Sequence, residues 1–205
     1  MQALLLLALQ AASLPPKPPI IVPPKAAEVS GPVGEVLLSP IFGPPFACIE
    51  HAYDELPYAG DALGTDCQIV GGLTANTGFA RLYRTNGASN ADWYGWNAEV
   101  LSPTDGKVVG IFLNRTENVP GTMGKPPASM IQILRDDGIL VTLAHIAGAK
   151  VKIGDRVTAG QPIAIVGNNG TARAPHIHIG AYRIKSAEPL QIRWDQRAMA
   201  KLRGE

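Results

Sequence analysis

The sequence predicts a mainly β protein, a compact antiparallel, sandwich-like domain with long groove-lining loops and a proline-rich N-terminal arm. Short apolar runs recur from about Phe46 to Ile184, broken by Gly, Asp, Asn and Pro. Glycine and proline are frequent, 22 and 18 of 205 residues, which favours turns and short strands. No segment in that region keeps an amphipathic helical period beyond a few turns.

The elements follow in order. Ala3 to Leu9 reads ALLLLAL, with small residues at Ala11, Ala12 and Ser13. This predicts an export signal over 1–13, although no Lys or Arg precedes it; the other reading is a leucine-rich buried helix. Residues 14–45 form the arm, with PPKPPIIVPP from Pro15 to Pro24 extended because proline fixes φ and lacks a donor. The arm suits a spacer between the export site and the folded domain; for Val33 to Phe46, which is more apolar, the other reading is a structured arm lying on the domain surface. The folded domain is placed at 46–185. Its expected strands are Ala98–Leu101, then KVVGIFL after the SPTDG turn, and Met130–Leu134 and Ile139–Leu143 joined by an Asp-Gly hairpin. Val151–Val157, Gly160–Gly167 and Ile177–Tyr182 follow. The extension at 186–205 holds a short helix from Trp194 to Leu202. Asp61–Trp93 and Asn114–Pro127 are weakly patterned and read as walls of a groove.

Lys and Arg number 18 against 17 Asp and Glu, a formal charge of +1. That excludes a strongly basic nucleic-acid binder. No apolar run is long enough for an ordinary membrane span.

The four histidines carry the chemistry. In Pro175-His176-Ile177-His178-Ile179, strand alternation puts both imidazoles on one face and both isoleucines in the core. A metal ligand beside an acid/base group needs that arrangement, yet His-x-His alone is equally a pair of surface histidines. His145 ends the strand that begins at Ile139, and His51 follows Cys48-Ile49-Glu50 with carboxylates close behind. Two histidines and one carboxylate, with a position left for water, make a known zinc set. The His-Glu-x-x-His and Gly-x-Ser-x-Gly motifs are absent.

The series Leu-Ala-His, Val-x-x-Gly-Asp-x-Val-x-x-Gly-Gln, Gly-Asn-x-Gly and Pro-His-x-His, from Leu143 to Gly180, resembles the core of the lysostaphin-like peptidoglycan endopeptidases. EVLSPTDGKVVGI is similar to that family's upstream strand and turn. The resemblance spans about Cys48 to Ile184 and implies a duplicated-hybrid-motif fold. It implies zinc held by His51, Asp61 and His178, with His145 and His176 catalytic. Many such enzymes place the aspartate four residues after the first histidine. Here position 55 is Glu55, Asp54 is three away, and Tyr58-Ala59-Gly60-Asp61 fits a longer-gap version.

The implied activity is an exported, zinc-dependent endopeptidase, periplasmic or extracellular, acting on peptidoglycan peptides. His176 would be the general base; His145 would orient water and support the oxyanion, and the two roles are exchangeable. Tyr83, Trp93, Tyr94 and Trp96 either line the groove or anchor its loops. The alternative function is a catalytically silent relative that binds the wall or activates another hydrolase. A lipoyl-type carrier is disfavoured because no lysine follows Lys152 within the hairpin pattern. Cys48 and Cys67 either pair, as export to an oxidising compartment favours, or remain free thiols.

Overall fold

A computed structural model describes residues 20–73 and 79–204. The expected export signal and the prolines before Ile20 lie outside the described residues.

The strands are β1 (Glu35–Leu38), β2 (Phe46–Glu50), β3 (Thr65–Ile69), β4 (Glu99–Leu101), β5 (Gly106–Phe112) and β6 (Met130–Leu134). Then come β7 (Ile139–Ala144), β8 (Ile146–Ala149), β9 (Arg156–Val157), β10 (Pro162–Val166), β11 (Ile177–Arg183) and β12 (Glu188–Trp194). A closing helix, α1, spans Gln196–Arg203. Asp195 caps it by accepting from the N–H groups of Arg197 and Ala198, and Gly204 ends it at φ 73°. Among the described residues no helix is long and apolar enough to cross a membrane.

A nine-stranded sheet runs β1-β12-β11-β7-β6-β5-β9, with β3 added beside β11 and β2 outside β3. A three-stranded sheet, β4-β10-β8, packs on it. The core between them comes from strand alternation: Ile177, Ile179, Val141, Leu143, Ile131 and Ile133 point inward against Val100, Ile163 and Val166. The mainly β expectation is met, but the large sheet is mixed, because β1 pairs parallel with β12.

The expected strands between Ala98 and Tyr182 appear where the periodicity puts them, while β1, β2, β3, β8 and β12 do not follow from it. β3 lies inside the Asp61–Trp93 segment read as a groove loop, because its pairing with β2 and β11 supplies the order that local pattern lacks. Val36, Leu38, Ile41 and Phe42 belong to the core, so the stretch read as a surface arm is part of the packed domain. Its partner strand lies at the far end of the chain, and no local pattern reports that pairing. Val151–Val157 narrows to the two residues of β9. Gly154 takes φ 98°, and the Asp155 carboxylate accepts the Lys152 N–H at 3.0 Å. That local bond turns the chain in place of a ladder.

The opposite face of the large sheet carries His178, Gly180 and Tyr182 from β11, Thr142 and Leu140 from β7, and Gln132 from β6. The arm from Ile20 crosses this face. Gln132, fully buried, accepts from Ile21 N at 2.7 Å and donates to Ile21 O at 2.6 Å. Pro24 O then accepts from Ala59 N, and Pro57 O from Ala26 N, both at 2.9 Å. The arm thus braces the loop between β2 and β3.

Candidate metal and catalytic centre

Three strands bring the site together. β3 pairs antiparallel with β11 so that Asp66 lies directly across from His178. β2 pairs with β3 so that Cys48 lies across from Cys67, and the two are disulfide-bonded. His51 leaves the end of β2, its N–H donating to Gly64 O at 3.0 Å. The bridge therefore pins the strand that delivers His51 to the strand that delivers Asp66.

His51, Asp66 and His178 each present a ligand atom, all within 4.8 Å of one another. Asp66 Oδ1 stands 2.9 Å from His178 Nδ1, 3.6 Å from His51 Nε2 and 3.5 Å from His176 Nε2. Asp61, the carboxylate expected from sequence, is on the other side of the His178 ring, with Oδ1 3.3 Å from Nε2. That contact lies outside hydrogen-bond geometry, and His178 Nε2 is buried without a partner. The carboxylate in the converging set is thus Asp66 rather than Asp61. Glu55 stands behind His51, Oε1 3.3 Å from Nδ1.

Tautomers test whether a cation suits this set. His176 Nδ1 lies 2.8 Å from Ala174 O, so it donates its hydrogen there. In the neutral ring Nε2 is then a lone pair aimed at an acidic oxygen. His51 Nδ1 faces Glu55, which leaves its Nε2 in the same condition. Acceptors facing acceptors need a cation or a proton donor among them. Ligands about 2.1 Å from a tetrahedral zinc lie roughly 3.4 Å apart. The observed 2.9 and 3.6 Å bracket that value, so the donor set fits zinc.

The electrostatics agree. Burial would raise the Asp66 carboxyl, but His176 and His178 hold it well below the usual carboxylate range. Burial pulls His178 down, yet Asp61 and Asp66 outweigh it and push the metal-free ring up to about 9.

His145 sits between β7 and β8 with φ 66°, a left-handed turn that swings its ring off the strand. Its N–H donates to Ser129 O at 2.8 Å, and its Nδ1 donates to Asn169 O at 2.7 Å. Asn169 is itself clamped, accepting from Ser129 N and donating to Ile146 O. The His145 and His176 ring centroids are 4.5 Å apart. Burial first, and then the neighbouring His176, lower His145 to about 3, so it stays neutral at ordinary pH.

The model of the family described as Peptidase family M23 matches residues 92–191. These residues belong to peptidase family M23. No curated protein sequence matches the chain. Among solved structures, the chain is similar to the catalytic domain of the antimicrobial peptidase lysostaphin from Staphylococcus simulans. That match has 18% identity and a TM-score of 0.40, covering 75% of this chain and 86% of the other. A mutant catalytic domain of the prophage-encoded M23 protein EnpA from Enterococcus faecalis matches at 19% identity and TM-score 0.43, over 75% of this chain and 93% of that one. A zinc containing peptidase from Vibrio cholerae matches at 16% identity and TM-score 0.37, over 71% and 54%.

The M23 match covers His145, His176 and His178, while His51, Asp61 and Asp66 lie upstream of it. The expected groove walls meet at an asparagine junction. Asn90 Nδ2 donates to Asn118 O, Asn118 Nδ2 to Gly170 O and Ala172 O, and Asn168 Nδ2 to Asn90 Oδ1. The aromatics expected there largely anchor the loop. Tyr83 and Trp93 stack edge to face, Trp93 Nε1 donates to Gly87 O, and Arg84 lies over Tyr94. Two surface depressions, about 420 and 480 Å³, are lined by none of the histidines. Sequence reasoning missed Asp66. Its signal was the alternation Thr65-Asp66-Cys67-Gln68-Ile69, which puts Asp66 and Gln68 on the face away from the core.

Proposed function

We propose that this M23 domain is an exported, zinc-dependent endopeptidase that hydrolyses amide bonds in the peptide cross-links of peptidoglycan. The observation that carries the reading is the convergence of His51 Nε2, Asp66 Oδ1 and His178 Nδ1 beside the free nitrogen of His176. The ordered motifs from Leu143 to Gly180 supply the substrate class. The Cys48–Cys67 bridge suits an oxidising compartment.

In this reading His51, Asp66 and His178 hold the ion, which when bound acidifies a water and polarises the scissile carbonyl. His176 Nε2, 3.5 Å from Asp66 Oδ1, removes the proton from the attacking water. Its Nδ1–H stays on Ala174 O, which fixes the ring plane. The same Nε2 then hands the proton to the departing amine. His145, with its hydrogen committed to Asn169 O, offers only an acceptor at Nε2. It orients the water through the second O–H and does not donate to an oxyanion while neutral.

Digestion of purified peptidoglycan, followed by analysis of the released muropeptides with and without chelator, tests the reading. New termini at a cross-link that vanish with chelator are expected. Tight wall binding with no cleavage, by protein that contains zinc, would favour the silent alternative.

A further inference from the structure

The two histidines assigned to the metal offer it different atoms. His51 turns Nε2 toward Asp66, and His178 turns Nδ1 toward the same oxygen. A ring that gives one nitrogen to a cation must carry its hydrogen on the other. For His51 that is Nδ1, and the group facing it at 3.3 Å is Glu55 Oε1. For His178 it is Nε2, and the group facing it at 3.3 Å is Asp61 Oδ1. Each imidazole therefore lies between Asp66 and a second carboxylate. His145 and His176 differ, since both rest on main-chain carbonyls.

The Glu55 carboxylate is held in place, and so is the backbone that carries Asp61. Glu55 Oε2 accepts the Ala52 N–H at 2.9 Å, and Glu55 N donates to Ala52 O at 3.1 Å, which closes a tight turn around His51. The Asp61 loop lies flat on β11 because two side chains are missing. A Cβ at Gly180 would collide with Gly60 O, and one at Gly64 would sit 2.7 Å from His178 Cε1 and 2.8 Å from Nε2. Asp61 O accepts from Gly64 N at 2.8 Å, and the arm braces the loop from outside through Ala59 and Pro57.

We propose that Glu55 and Asp61 are positioning residues for the metal centre, Glu55 taking the Nδ1 hydrogen of His51 and Asp61 the Nε2 hydrogen of His178. They select the tautomer that leaves the correct nitrogen for the ion and raise its basicity. The inference rests on the zinc reading above.

The test measures the zinc dissociation constant of the full chain by competition with a chromogenic chelator. It compares wild type, Glu55→Gln, Asp61→Asn and Asp66→Asn, with thermal melts of the metal-free forms as a check on folding. Each outer variant should bind zinc 10- to 100-fold more weakly while its metal-free melt stays close to wild type. Asp66→Asn should lose far more. In zinc-loaded wild type, proton-detected NMR should find protected ring hydrogens on His51 Nδ1 and His178 Nε2. The matching one should exchange faster in each variant. Wild-type affinity and unchanged ring protons in both variants would overturn the inference alone. Loss as complete as in Asp66→Asn would make that residue a ligand and overturn its positioning role. A wild-type chain that binds no zinc would overturn the zinc reading, and this inference with it.

Discussion

The four histidines form two pairs backed by different chemistry. His51 and His178 face carboxylates on both ring nitrogens, on the side of the sheet built by β2, β3 and β11. His145 and His176 give Nδ1 to the carbonyls of Asn169 and Ala174, in the loops around β7 and β11. A carboxylate partner stabilises positive charge, as a cation-holding ring requires. A carbonyl fixes the tautomer without adding net charge, so the hydrogen sits on Nδ1 and Nε2 faces the site. Under the proposed function, neighbouring imidazoles thus take separate tasks from what stands behind them.

The comparison breaks most visibly if the carboxylate shared by the first pair, or either member of the second pair, is removed. Asp66→Asn should lose zinc, with metal content and wall hydrolysis both near background, because only neutral imidazoles remain. His176→Ala should keep its zinc while turnover falls on the order of 10² to 10⁴-fold. His145→Ala should also keep zinc, with a loss toward the lower end of that range. Metal content and muropeptide release, measured on the same preparations, check all three. Loss of zinc from His176→Ala would merge the two pairs into one ligand set.

His178 and His145 respond oppositely to pH. In the metal-free protein His178 is raised from 6.5 to about 9, so the folded state holds that proton more tightly than the unfolded chain. Its stabilising contribution is full below about 6.5 and is lost as pH rises through about 9. Zinc must displace the same proton, so apparent affinity should climb roughly tenfold per pH unit and flatten near the folded value. His145 is lowered from 6.5 to about 3, so its contribution is present above 6.5 and falls away as pH drops toward 3. Chelator-treated His145→Ala should therefore show a flatter acid limb than wild type in thermal melts between those values. An unchanged limb would remove His145 from the acid response.

The disulfide sharpens the carboxylate-backed side alone. Its loop, closed over a sequence separation of 19, is worth about 3 kcal/mol in the chain-entropy model. Cys48→Ser with Cys67→Ser should lower the melting temperature and weaken zinc binding through looser delivery of His51. The smallest effect belongs to Asp54, which sits at φ 65° in the turn after His51. Asp54→Gly accepts that conformation and should leave zinc content and hydrolysis close to wild type.

The sequence by itself determined the β class, the local hairpins and the shared face of His176 and His178, because strand alternation is a period-two property of adjacent residues. It also singled out His51, His145, His176 and His178, whose rings the fold brings near one another. The carboxylate was decided only by tertiary structure. Asp61 and Asp66 both follow His51 within a weakly patterned segment, and their separation in the chain does not say which converges with His51 and His178. The register of β3 against β11 decides it by setting Asp66 across from His178, while Gly60, lying on Gly180, sends Asp61 behind the same ring. The parallel pairing of β1 with β12 was hidden for the same reason. Registry between distant strands depends on core packing summed over the whole sheet, and no window of sequence contains that sum.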